Sequence, residues 1–114
     1  MPEVSISVLG GCGVSVDGRP IAGVPSSLFR MVAYIILSGH NLSVPRQRLS
    51  GLLWPDIDRG KANGNLRQVL SRIRHFQAAI GVQFIQSNFS MVYIDPVNEV
   101  QCDLLALVVD SGSK

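Results

Sequence analysis

Apolar and polar residues alternate at the start of the chain. Val4, Ile6 and Val8 fall on one side, and Ser5 and Ser7 on the other. A period of two marks a strand with one buried face. The stretch GGCG at 10–13 interrupts the pattern, and VSVDGRPI resumes it. Asp17-Gly18 is a tight-turn signal that leads into a short third strand near Pro20 and Ile21. The first 24 residues therefore predict a small antiparallel meander.

The period then lengthens. PSSLFRMVAYIILSG predicts a first helix, opened by Pro25 with Ser26 or Ser27 and stopped by Gly39. Leu28, Phe29, Val32, Ile35 and Ile36 make its apolar face, widened by Met31, Ala33 and Leu37. A helix apolar on most sides belongs at the centre of a domain. VPRQRLSGLLWP predicts a short second helix, with Pro45 in its first turn, Leu49, Leu52 and Leu53 inward and Pro55 as terminator. A third helix is expected from Arg59 to Ile80, with Asp58 as N-cap and Gly81 as C-terminal stop. VQFIQSNFSMVYI then gives two apolar strands around Ser87 and Asn88, a hairpin. A last short strand near EVQCDL is expected to pair with it. The order is meander, three helices, hairpin: an α+β class with an N-terminal antiparallel sheet. One domain is expected over 1–110, with 111–114 as a tail or boundary.

On a helical wheel with Leu66 at zero, Val69, Leu70, Ile73, Phe76 and Ile80 lie within about 80° of one direction. That stripe is the core face. Opposite it stand Lys61, Gly64, Gln68, Ser71 and His75, with Arg67 and Arg74 on one flank and Arg72 on the other.

Composition changes this picture at one point, the charge. The net charge is only +2, but between Arg59 and Ile94 there is no acid at all, while that window holds Arg59, Lys61, Arg67, Arg72, Arg74 and His75. Arg46 and Arg48 lie just upstream. Charge segregated in this way suits a surface that meets phosphate. No apolar run reaches the ~18 residues of a membrane span, and the N-terminus lacks a signal-peptide pattern, so a cytoplasmic protein with no membrane partner is expected. Cys12 and Cys102 stand far apart and outside any metal-binding spacing. His40 and His75 are isolated. No catalytic residue, metal or cofactor is expected, and GGCG, which lacks a GK[ST] ending, is read as a turn.

Taken alone, a basic amphipathic helix is more often a solvated surface than a reader of nucleic acid. Three features favour a reader. Acids are missing from the whole face, although Glu–Lys pairs normally decorate exposed helices. A short helix and a turn precede it, as in helix-turn-helix proteins. A hairpin follows it where a wing would lie. A major groove about 12 Å wide admits one helix. The base-reading candidates are Lys61, Gly64, Arg67, Gln68 and Ser71; the candidates for the sugar-phosphate backbone are Arg46, Arg48, Arg59, Arg72, Arg74, His75, Ser87 and Asn88. The segment QSNFSM carries no Arg or Lys, which favours an alternative, a protein–protein interaction module with weak or lost DNA binding.

LFRMVAYIILSGHNLSVPRQRLSGLLWPDIDRGKANGNLRQVLSRIRHF, and within it LLWPD and NLRQVLSRIR, resembles the N-terminal domain of the Streptomyces antibiotic regulatory protein (SARP) family. ISVLGGCGVSVDGRPI and VQCDLLAL extend the resemblance over nearly the whole chain. It implies a winged helix-turn-helix of the OmpR/PhoB type, with a four-stranded N-terminal sheet and a C-terminal hairpin wing. It implies a bacterial transcriptional regulator that binds double-stranded promoter DNA at direct repeats, as a monomer in solution paired on DNA. By position, the helix bearing Asn65, Leu66, Arg67, Gln68, Ser71, Arg72 and Arg74 would be the recognition helix. The loop 54–59, with Pro55, Asp56, Ile57 and Asp58, would face RNA polymerase, with Trp54 as a core plug. CDLLAL is similar to that family's junction into a helical activation domain.

Overall fold

The structure, a computed structural model, describes residues 3–38, 41–95 and 99–105. Its elements are β1 (Glu3–Ser7), β2 (Gly13–Val16), β3 (Arg19–Pro20), α1 (Ser26–Ser38), β4 (Ser43–Pro45), α2 (Arg46–Leu53), α3 (Arg59–Ile80), β5 (Ile85–Ser87), β6 (Met91–Ile94) and β7 (Glu99–Cys102). A helical turn opens at 103–105. The class is α+β, with two small sheets. Gly39, His40 and the expected tail at 111–114 fall outside the described residues.

The meander forms as its pattern requires. β1 pairs antiparallel with β2 in the register Val4↔Val16 and Ile6↔Val14. Asp17 (φ 51°) and Gly18 (φ 80°) make the two-residue turn, both in the left-handed region that a type I′ hairpin demands. Asp17 also accepts the Glu3 N–H at 2.8 Å through its Oδ1.

Two expectations about strands need correction. The N-terminal sheet is mixed, not antiparallel, because its fourth strand is β7, which joins β1 in parallel; the order is β3-β2-β1-β7. β7 therefore leaves the hairpin, with which it was expected to pair. The physical reason lies in side-chain alternation and in one carboxylate. Cys102 is buried opposite Ile6 in the register. Beyond the strand end, Asp103 accepts the N–H groups of Val8 (3.0 Å), Leu9 (3.1 Å) and Leu104 (2.8 Å), so the chain's return is clamped onto the end of β1. The Val8 N–H, followed by those of Leu9 and Leu104, holds the Asp103 carboxyl below its usual range, against a partial opposing effect of desolvation.

The hairpin gains a different third strand. β4 pairs antiparallel with β6 (Val44↔Val92), giving the order β4-β6-β5. Pro45 consequently sits at the cap position before α2, in extended backbone (φ −61°, ψ 140°), rather than inside the helix. Proline suits the last residue of an edge strand, where no ladder N–H is needed.

One core unites all of this. Leu28, Met31, Val32 and Ile35 of α1 are fully enclosed, together with Leu49, Leu66, Ile73, Phe84 and Val92. Each such side chain contributes roughly 1.5–3 kcal/mol of burial. Phe29 and Trp54 pack against this core from partly buried positions, whereas Leu37, expected to widen the apolar face of α1, is 61% exposed. Among the described residues no helix is long and apolar enough to cross a membrane.

Candidate nucleic-acid interface

α3 owes its ends to two residues. The Asp58 carboxylate accepts the N–H groups of Gly60 (3.1 Å) and Lys61 (3.3 Å), satisfying donors that a helix start leaves open. Gly81, at φ 78°, takes the left-handed stop and donates its N–H to the Gln77 carbonyl. Between them Ala62, Leu66, Leu70, Ile73 and Gln77 are buried, at intervals of four, four, three and four. The rest of the wheel follows: Lys61, Arg67, Gln68, Arg72, Arg74 and His75 are exposed, and Gly64 and Ser71 half-buried. Val69, Phe76 and Ile80 form the partly buried margin of the stripe.

α2 braces α3 through a polar contact buried between them. Ser50, 1% exposed, places its hydroxyl 3.0 Å from both the Gln47 carbonyl and Asn63 Oδ1. A hydroxyl has one hydrogen to give. Both contacts are satisfied when Ser50 donates to Gln47 and the Asn63 amide turns its Nδ2 toward Ser50. Asn63, which as a sequence feature only weakens a helix, thus fixes α3 against α2.

At the other end, Gln77 joins α3 to the hairpin. Its Oε1 accepts the N–H groups of Phe84 (3.0 Å) and Ile85 (2.8 Å), and its Nε2 donates to the Ile85 carbonyl (3.0 Å). The hairpin tip is pinned as well. Asn88 Oδ1 accepts from the Ser90 N–H (2.9 Å), the Ser90 hydroxyl (3.1 Å) and the Met91 N–H (2.8 Å). Arg46 donates from its guanidinium to the Asn88 carbonyl (3.0 Å) and from its backbone to the Ser90 carbonyl (2.9 Å).

The candidate residues therefore divide. Lys61, Arg67, Gln68, Arg72 and Arg74 share α3 and are exposed; Arg48 and Arg59 are exposed on α2 and at the start of α3. Arg46 is partly buried and holds the hairpin tip. His75 lies back along its own helix, with Nδ1 2.9 Å from the Ser71 carbonyl. Ser87 is half-buried within β5, and the Asn88 side-chain oxygen is occupied inside the turn. In the loop before α3, Pro55, Asp56, Ile57 and Asp58 are exposed, but the Asp58 carboxylate already serves as the cap. Ser50, Asn63 and Gln77 were not singled out from the sequence. Gln77 could have been, because it falls about 20° from Leu66 on the wheel, inside the core stripe.

A methyl group built on Gly64 meets nothing within 4 Å. Gly64→Ala is therefore expected to raise the unfolding free energy by about 0.5–1 kcal/mol in a urea titration, the helix-propensity difference between the two residues. A loss of stability would show that the folded backbone needs glycine there.

No protein-family model, curated protein or solved structure gives a significant match to the chain.

Proposed function

We propose that this chain is a sequence-specific double-stranded-DNA-binding domain of a bacterial transcriptional regulator, a winged helix-turn-helix of the OmpR/PhoB type that lays α3 in the major groove. One observation carries the reading. The exposed side of α3 holds Lys61, Arg67, Gln68, Arg72 and Arg74 without a single carboxylate along the helix, while α2 braces it and a pinned hairpin follows it. The resemblance to the SARP family supports the same assignment, and with it a cytoplasmic location, pairing on direct repeats and a polymerase-facing loop at 55–58.

Base edges are read by side chains that donate and accept in a fixed geometry. Arg67 can grip guanine N7 and O6, and Gln68 can pair with adenine N6 and N7. Arg72 and Arg74, on opposite flanks, are suited to phosphates, which position the helix without reporting sequence.

Selection of bound duplexes from a random pool, followed by titration of variants on the best site, tests the assignment. Arg67→Ala is expected to lower affinity by about 5- to 150-fold, a cost of ~1–3 kcal/mol, and to relax preference at one base position. Arg74→Ala should weaken all sequences alike. Undiminished affinity of Arg67→Ala on its best site would overturn the role given to α3. Failure of the wild-type protein to bind any duplex at low salt would leave the protein–protein module as the reading.

A further inference from the structure

The hairpin tip carries a feature that the basic helix does not explain. Phe89 is 96% exposed, the most exposed large hydrophobic among the described residues. It occupies a two-residue loop, since Ser87 pairs with Val92 and the Asn88 N–H donates to the Met91 carbonyl at 3.0 Å. Loops of this kind favour Gly, Asn, Asp or Ser, which meet water without loss. A phenyl ring there gains nothing from the fold.

The turn that carries the ring is held still. The three bonds accepted by Asn88 Oδ1 close the turn, and the two bonds from Arg46 tie it to the start of α2. Guanidinium groups and amides stand beside the ring, together with Pro45 and Leu66. Phe89 borders one hollow with Arg46, Gln47, Asn63, Leu66 and Arg67, and another with Pro45, Arg46, Gln47 and Ser90. An exposed ring beside the Arg46 and Arg67 guanidinium groups matches a nucleic-acid strand, with an apolar stacking surface bordered by phosphates.

We propose that Phe89 is a wedge that enters the minor groove beside the major groove occupied by α3 and partly unstacks one base step. This rests on the DNA-binding reading above. Apolar side chains inserted in this way kink the duplex and favour steps that unstack easily, such as TA and CA/TG. Phe89 thus supplies sequence preference and bending from a wing that has no cation, while Arg46 holds the wing in place and Arg67 meets the same strand from α3.

The test uses the whole chain and a duplex containing its selected site, with a fluorescent adenine analogue placed in turn at each step flanking the α3 contacts. Wild-type protein should raise the analogue's fluorescence at one step only. Phe89→Ala should abolish that rise, lower affinity about tenfold and reduce the bend read by end-to-end energy transfer, with an unchanged salt slope because no counterion is involved. Phe89→Trp should retain all three signals. Since the ring packs on little, both variants should melt with the wild type. Equal binding and fluorescence by Phe89→Ala would overturn the wedge and leave the α3 reading standing. Self-association of the free protein that Phe89→Ala abolishes would overturn it in favour of a second copy as the occupant. Absence of duplex binding by the wild type would overturn both readings.

Discussion

Gln77→Ala is expected to destabilise the fold by about 3–5 kcal/mol, the largest loss of any single polar substitution on α3. Gln77 is fully buried, and its amide satisfies two N–H groups and one carbonyl, of Phe84 and Ile85. Both partner residues are buried too, so water cannot replace the amide without entering the core. A buried polar group left unpaired costs ~1–3 kcal/mol. Three such groups together with a side-chain-sized void give the stated total even when the site relaxes in part. Chemical denaturation followed by circular dichroism measures it. Gln77→Glu should recover part of the loss, because a carboxylate still accepts from both N–H groups but, when ionised, faces the Ile85 carbonyl with no hydrogen to give. A loss below about 1 kcal/mol for Gln77→Ala would show that this amide does not fix the hairpin to α3. Since domains of this size have total stabilities of about 5–15 kcal/mol, the alanine variant should also have little folded protein left to bind DNA at moderately raised temperature.

Gln77 marks the boundary of what the chain discloses by pattern. The limits of α3 are legible residue by residue, because a capping aspartate and a terminating glycine are local signals whose chemistry acts within one turn. The same holds for Asp17-Gly18, where the turn's backbone demands are met by the two residues themselves. β7 is not legible in this way. Its alternation is that of any half-buried strand, and its choice of β1 over the hairpin depends on Asp103 meeting Val8 and Leu9, more than ninety residues away in sequence. β4 is three residues long and ends in proline, too short for a period to register. Gln77 and Ser50 were missed for another reason. A hydropathy wheel sorts side chains by type, whereas these polar groups are buried because specific partners satisfy them. Arg46 shows another limit of pattern: its sequence context suggested phosphate and gave no sign that its guanidinium also bonds the hairpin turn. The exposed cations of α3 needed no tertiary information, since the apolar stripe opposite them already fixed their side.

The second large effect is on DNA affinity, which should fall several-hundredfold between 50 and 200 mM salt, with log K against log salt sloping at about −4 to −5. The slope follows from how many cations meet phosphate. Arg48, Arg59, Lys61, Arg72 and Arg74 are exposed on α2 and α3, whereas the Arg46 guanidinium bonds the hairpin turn. Five contacts at ~0.9 released counterion each give roughly −4.5. The arrangement matters as much as the number. Arg67 and Arg74 lie on one flank of α3 and Arg72 on the other. A helix inside the major groove has a phosphate strand on each side, so both flanks are used. A helix lying across one strand would engage one flank and give about half the slope. Fluorescence anisotropy of a labelled duplex over a salt series separates these cases. A slope near −2 would exclude insertion in the groove, and a flat dependence would sink DNA binding through this helix altogether. Arg72→Ala sharpens the distinction. It should reduce the slope by roughly 0.9 on every sequence tested if α3 sits in the groove, and change nothing if the helix rests on the strand beside Arg67 and Arg74.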